Sequence, residues 1–384
     1  MSRKFDVCVR GGGVVGHALA LLLARDRLRV ALVRPPAPAG ALTDVRAYAL
    51  NAASRALLQD LRVWPDPASA TPVAAMQICE DGGNAPPHAA VRFDSPGADG
   101  DALAWIVDVP AFEQRLREAV GFQSGIEVLD SAEGLTPSLT VICEGKRSSS
   151  RAQFGFEFDT RPYPHTAVAA RLRCALPHGG VARQWFVQGD IMAWLPLDGP
   201  QGHRVALVWS VAHERAAQLL ALAPDALAAE VQANGHAALG AMALDGAAAG
   251  WPLELSRARR WVACHGDMGV ALAGDAAHAM HPLAGQGLNV GLGDVAELAH
   301  LLHQRESWRE PGDMRLLRRY ERARQADVRA MGAVTEGLYS LFAHSDSRLQ
   351  ALRRWGLQRF DSSSTLKQWV VRQAAGHTPL RAGH

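Results

Sequence analysis

A glycine-rich turn between a strand and a helix constrains this chain most. Asp6–Arg10 (DVCVR) reads as a short buried strand, and Val14–Arg25 (VVGHALALLLAR) reads as an apolar helix. Between and into them run Gly11, Gly13 and Gly16, spaced G-x-G-x-x-G, and a second strand follows over Arg29–Arg34. In that setting each glycine has a task. Gly11 permits the tight turn, Gly13 lets a pyrophosphate approach the backbone, and Gly16 lets the helix pack closely on the strand. The helix N-terminus then turns free N–H groups and its positive dipole end toward the phosphates. The pattern predicts a parallel α/β sheet with a dinucleotide on its carboxyl edge.

The end of the second strand complicates the choice of dinucleotide. An acid commonly stands there and holds a ribose hydroxyl, whereas this chain has Arg34. Read alone, Arg34 suggests the 2′-phosphate of NADP. The net charge of +2 argues against a whole-molecule nucleic-acid footprint. No run reaches the ~18 uncharged apolar residues of a membrane span, and the N-terminal helix sits behind a strand, not behind a basic leader. Five scattered cysteines (Cys8, Cys79, Cys143, Cys174, Cys264) read as reduced, structural thiols of a cytoplasmic protein.

Two later stretches decide the matter. Ala271–Leu302 (ALAGDAAHAMHPLAGQGLNVGLGDVAELAHLL) reads as an apolar strand ending at Gly274–Asp275, a loop stiffened by Pro282, and a helix from about Leu288 to His303. Asp275 can accept hydrogen bonds from sugar-alcohol hydroxyls. Ala284–Gly287 (AGQG) brings bare backbone against something flat, and the helix N-terminus can stabilise charge on a reduced flavin. Thr140–Gly155 (TVICEGKRSSSRAQFG) is a strand followed by Glu144, Gly145, Ser148 and Arg151.

With the glycine turn, these stretches resemble class A flavoprotein monooxygenases of the para-hydroxybenzoate hydroxylase fold, and most of all the ubiquinone-biosynthesis hydroxylase family. The G-D-A-A-H-x-x-x-P-x-x-G-Q-G-x-N segment is nearly literal from Gly274 to Asn289. Further matching pieces are DVRAYALNAASRALL (Asp44–Leu58), YPHTAVAA (Tyr163–Ala170), HGGVARQWF (His178–Phe186), MAWLPL (Met192–Leu197) and RYERARQADV (Arg319–Val328). The resemblance implies FAD as cofactor and NAD(P)H as co-substrate. It places Arg46 at the pyrophosphate or ribityl region and Asp275 on the ribityl chain. Pro282, Gly285, Gln286, Gly287, Leu288 and Asn289 fall around the isoalloxazine, with Glu144, Gly145 and Arg151 in a segment shared by FAD and NAD(P)H. His281, beside Pro282, is a candidate for contact with ring or substrate, and His278 reads as structural. The sequence departs from the family pattern at Arg34, at Glu144 for Asp, at Arg10 in the first strand and at Val14 in the turn. FAD has no 2′-phosphate, so the expectation becomes a cationic cradle of Arg10 and Arg34 around its AMP half. In that cradle Arg34 stacks on adenine, touches a phosphate or pairs with Asp44.

The expected fold is α/β: a Rossmann-like FAD-binding domain from 1–72, 105–155 and 257–329, and an antiparallel β-sheet substrate domain from 73–104 and 156–256. Helices are expected over Pro224–Ala247 and over the C-terminal part, 330–384. Trp185, Trp194 and Trp209 lie on the strands of the substrate sheet and are read as core packing ahead of substrate contact. The basic helix Leu349–Phe360 (LQALRRWGLQRF) either packs its apolar side on the flavin domain or meets partner enzymes or the inner membrane face.

The resemblance implies that NAD(P)H reduces the flavin, that O2 adds at C4a to give a hydroperoxide, and that an electron-rich ring takes the distal oxygen. The substrate is then an aromatic with a lipid tail, a prenylated phenol of ubiquinone biosynthesis. A small soluble aromatic, or a scaffold whose flavin site has eroded, remains open at this stage. No metal ligand set is expected: His278 and His281 have no further ligands near them.

Overall fold

The computed structural model describes residues 5–34, 44–80, 89–95, 102–187, 189–279 and 287–343. Its first sheet has six strands in the order β16-β17-β9-β1-β2-β8. They are β1 (Val7–Arg10), β2 (Val30–Val33), β8 (Ile126–Leu129), β9 (Leu139–Ile142), β16 (Val262–His265) and β17 (Met268–Leu272). From β17 to β8 the pairing is parallel, and β16 closes the edge antiparallel. The helix α1 (Val14–Arg25) spans the residues expected, and β2 is shorter than the expected strand by one residue at each end. Strands buried on both faces read as nearly continuous apolar runs, and β2 (VALV) and β9 (LTVI) are buried throughout, with the one polar residue, Thr140, donating to Met268 Sδ.

The register aligns the carboxyl ends of these strands. Arg10 lies opposite Val33 and Ile142, Val33 opposite Leu129, and Ile142 opposite Leu272. The next residues therefore leave the sheet in one row: Ala273, Cys143, Gly11, Arg34, Asp130. Four strand spacings separate the ends of that row, about 20 Å.

The second sheet has nine strands among the described residues. It consists of β5 (Ala75–Glu80), β6 (Ala89–Asp94), β10 (Phe158–Cys174), β11 (Val181–Val187), β12 (Asp190–Leu197), β13 (Arg204–Ala212), β14 (Met242–Leu244), β15 (Ala249–Ala258) and β18 (His278–Ala279). Side chains alternate across it, as the period of two requires. Val168, Ala170, Trp194, Leu207, Trp209 and Val211 enter a core covered by α5 (His213–Ala221) and α6 (Pro224–Asn234). Ala167, Ala169, Ala193, Leu195, Val208 and Ser210 face the other way, into a cavity. The three tryptophans are thus core, as expected, at 2% exposure or less. The helix expected over Pro224–Ala247 stops at Asn234. Gly235 follows as its C-cap, two positive-φ residues (His236, Ala237) turn the chain, and β14 pairs with β10.

A small third sheet, β3 (Ala47–Leu50), β7 (Trp105–Asp108) and β4 (Ala70–Pro72), lies between the larger two, with α2 (Ala52–Asp60) and α3 (Val109–Gly121) on its flanks. The short α4 (Ser149–Gln153) follows β9. α7 (Gly287–His303) packs on α1, and α8 (Met314–Ala343) packs on α7. α8 runs unbroken past position 330. The segment Leu349–Phe360 lies outside the described residues. Among the described residues no helix is long and apolar enough to cross a membrane.

Candidate active site

The glycine turn has the geometry its spacing predicts, and its three glycines differ in what they face. Gly11 has φ +127°, and a Cβ there would stand 2.4 Å from the Cys143 carbonyl oxygen. A Cβ on Gly16 would stand 1.9 Å from the Gly11 carbonyl oxygen. Both are therefore fixed by packing. A Cβ on Gly13 would meet nothing within 4 Å. Gly13 is also the N-cap of α1, with no side-chain cap and no acid in the first turn. The free N–H groups of that turn point into open space on the carboxyl edge of the sheet, where an anion is stabilised.

That space is a cavity of about 1290 Å³. It runs from Gly11–Val15 past Arg34, Arg46 and Tyr48, over Glu144–Ser149 and Asp275, to the alanine-rich face of the nine-stranded sheet. Arg34 lays its stem over Gly12, where a Cβ would come within 2.3 Å of Arg34 Cγ. It does not pair with Asp44, which Arg46 holds through its Nε at 2.9 and 3.0 Å. Burial opposes the charge of Asp44, and the Arg46 hydrogen bonds overcome it and hold the carboxyl below the usual range.

The expected partner of Arg34 in the cradle is elsewhere. Arg10 turns away from the cavity, where it meets Glu144 (3.4 Å), Gln153 (3.1 Å) and the Phe154 ring. The cause is β-strand alternation: Arg10 is the last residue of β1, and its side chain leaves on the face of α4. The cationic residues on the cavity are instead Arg34, Arg46, Arg117, Lys146 and Arg147, with Arg183 on the nine-stranded sheet.

Glu144 serves its own loop. Its two oxygens accept from Ser148 Oγ (2.5 Å) and Ser150 Oγ (2.8 Å), while Ser148 caps α4. Glu144 and Gly145 line the cavity. Arg151 is not among its lining residues: its guanidinium folds onto the Phe158 ring at 4.1 Å and donates to the Lys146 carbonyl.

At the other end of the row, Gly274 takes φ +64° and Asp275 presents its carboxylate to the cavity. The turn is held from behind. Asp294, fully buried on α7, accepts from the Gly274 N–H (2.8 Å), His278 Nε2 (2.6 Å) and Arg324 Nε (2.8 Å). His278 stacks on Trp261 with ring centroids 5.0 Å apart, so it is structural, as expected. Sequence reading assigned no task to Asp294 or Arg324. The available signal was an acid within the otherwise apolar run VGLGDVA.

Gly287 and Leu288 reach the cavity. Asn289 does not line it. It is buried, accepting from Asn51 N–H (3.0 Å) and Ser54 Oγ (2.7 Å) and donating to the Ala49 carbonyl (2.8 Å). It ties the start of α7 to β3 and α2. His281, Pro282, Gly285 and Gln286 lie outside the described residues. Lining residues that sequence reading missed include Tyr48, Glu113, Asp130, Lys146, Arg183 and Trp251.

These features fit an extended dinucleotide: an uncapped helix N-terminus beside a bare glycine, cations along the middle, and an acid at the far end. Residues 111–335, more than half of the chain, match the FAD binding domain family. The chain is 29% identical to the ubiquinone hydroxylase UbiL of Rhodospirillum rubrum, over 98% of this chain and 90% of that protein. It is also 29% identical to the 3-demethoxyubiquinol 3-hydroxylase of Escherichia coli, over 97% of this chain and 98% of that one. In fold it is similar to the crystal structure of p-nitrophenol 4-monooxygenase PnpA from Pseudomonas putida, with TM-score 0.75, 18% identity, and 97% and 98% of the two chains covered. The chain belongs to the FAD binding domain family and is a FAD-dependent monooxygenase.

Proposed function

We propose that the protein hydroxylates an electron-rich aromatic ring carrying a lipid tail, a prenylated phenol of ubiquinone biosynthesis, with NAD(P)H and O2 as co-substrates. The observation that carries this reading is the continuity of the cavity. One space joins the glycine turn and Asp275 to an apolar sheet face, and its volume of about 1290 Å³ exceeds the ~300–1,000 Å³ of common ligand pockets. Ala167, Ala169, Ala182 and Ala193 keep that face flat and open, leaving room for a second molecule beside a dinucleotide. The full-length likeness to two enzymes of ubiquinone chemistry supports the choice of substrate.

On this reading the six-stranded sheet with its helices is the cofactor unit and the nine-stranded sheet the substrate unit. When bound, the flavin supplies the redox chemistry, taking a hydride and passing one oxygen atom to the ring. The chain's own tasks are holding and drying. The α1 N-terminus and Arg46 hold phosphates, and Asp275 accepts hydrogen bonds from ribityl hydroxyls. The start of α7 at Gly287 and Leu288 flanks the ring system. The alanine and valine floor excludes water, so a reactive oxygen is not lost to solvent. Arg183, Gln184 and Ser210 are polar points on that floor from which a phenol could be oriented.

The test is NAD(P)H oxidation by the purified holoenzyme, with product masses, in the presence of a prenylated phenol or simple phenolic acids. The prenylated substrate should give a product heavier by one oxygen, with coupled turnover, faster in anionic than in neutral vesicles if the basic C-terminal segment meets membrane. Coupled turnover with phenolic acids alone would establish the soluble-aromatic reading instead. A purified chain that holds no FAD would establish the scaffold reading.

A further inference from the structure

We propose that Asp130 is the carboxylate that recognises the adenosine end of FAD in this chain, replacing the acid that β2 lacks. The inference rests on FAD as the cofactor and on no choice of substrate.

The direction of the cofactor follows from the row of strand ends. With the pyrophosphate at the α1 N-terminus, one half of FAD extends over β9 and β17 toward Asp275 and the sheet face. The other half must then extend over β2 and β8. At the ends of those strands stand Arg34 and Asp130. Val33 is opposite Leu129, and Arg34 N–H donates to the Leu129 carbonyl at 2.8 Å, so the two residues leave the sheet side by side. Both line the cavity.

Adenosine offers donors there, two ribose hydroxyls and an exocyclic amine. A guanidinium has only donors and cannot receive them. An acceptor must come from elsewhere. Two carboxylates line that end, Glu113 and Asp130. Glu113 is engaged by Arg117 one helical turn away, at 3.6 Å. Asp130 is exposed where it lines the cavity, and its carboxylate makes no hydrogen bond or ion pair among the described residues. Arg34, laid over Gly12 beside the phosphate turn, is placed for the anionic part of the same ligand. The pair performs the usual task with the charges exchanged between neighbouring strands.

The test is titration of the apoprotein with FAD and with FMN, which lacks the AMP half, read by flavin fluorescence. Asp130→Asn should weaken FAD roughly tenfold or more, the effect of losing a charged acceptor, and leave FMN unchanged. Unchanged or tighter FAD binding by Asp130→Asn would overturn the proposal, because a bystander acid near a pyrophosphate only repels it. Equal loss for FAD and FMN would overturn it too. A wild-type chain that binds neither flavin would overturn the cofactor assignment itself, and the proposal with it.

Discussion

Two aspartates flank the same turn and are driven in opposite directions. Asp294 is fully buried, yet its carboxyl is held below the ordinary range: desolvation raises it, and the charges and hydrogen bonds of His278 and Arg324 outweigh that. Asp275 stands on the cavity side of the turn. Desolvation raises its carboxyl above the ordinary range, and the electrostatic influence of His278, Lys146 and Arg46 offsets this only in part. One carboxylate has its partners within the chain. The other is left short of them among the described residues, which is the state expected of a group kept for a ligand. The difference separates residues that build the site from residues that use it.

Removing the anchor should have the largest effect. Asp294→Ala leaves Arg324, His278 and the Gly274 N–H without their acceptor in a dry interior. Breaking a buried pair in this way costs about 3–5 kcal/mol. Chemical denaturation should show that loss in the apoprotein, before any cofactor is added. Equal stability of Asp294→Ala and wild type would break the comparison.

The glycine turn repeats the contrast on the other side of the cavity. Gly16→Ala forces a methyl group against a backbone oxygen, and overpacking of that kind costs about 1–3 kcal/mol. It should lower the apoprotein Tm and remove FAD binding together. Gly13→Ala places its methyl in open space, at a φ of −87° that alanine adopts freely. Its stability loss should stay within about 1 kcal/mol, the scale of a changed N-cap, while FAD affinity falls because the methyl stands where the phosphate approaches. If Gly13→Ala binds FAD like wild type, the phosphate does not lie at this turn.

What the sequence disclosed follows the same division. Gly11, Gly13 and Gly16 were legible because turn, strand and helix are contiguous, and steric exclusion leaves no other residue at two of those positions. The start of α7 was legible from the break between a glycine-rich loop and an apolar run. Asp294 and Arg324 were not, because they lie on two helices 30 residues apart and only packing joins them. Asp130 was hidden for a related reason: strand order, absent from local pattern, sets β8 next to β2. Arg10 was misplaced because a strand's last side chain can leave by either face, and the turn that follows does not say which. The helix over Pro224–Ala247 was overextended because alanine-rich composition continues past Gly235, where the chain turns.

The subtlest contrast is the effect of pH on the two aspartates. A group held below its ordinary value contributes stability that is complete above that value, about 3.9 for aspartate, and is lost as pH falls toward the folded value. Asp294 belongs to this class. Asp294→Asn should therefore be less stable than wild type at pH 7, with the gap closing below about pH 4. Asp275 has the opposite sign. Its folded value is raised, so its penalty sets in as pH climbs through the ordinary value and is complete once pH exceeds the folded one. Asp275→Asn should leave the apoprotein slightly more stable than wild type at pH 7 and equal to it in acid. The same variant should bind FAD more weakly, since an amide accepts ribityl hydrogen bonds less well than a carboxylate. Apoprotein Tm across pH, paired with FAD titration, reads both effects. A stabilised apoprotein with weakened FAD marks Asp275 as a residue that uses the site, whereas loss of stability at neutral pH would return it to the frame that Asp294 anchors.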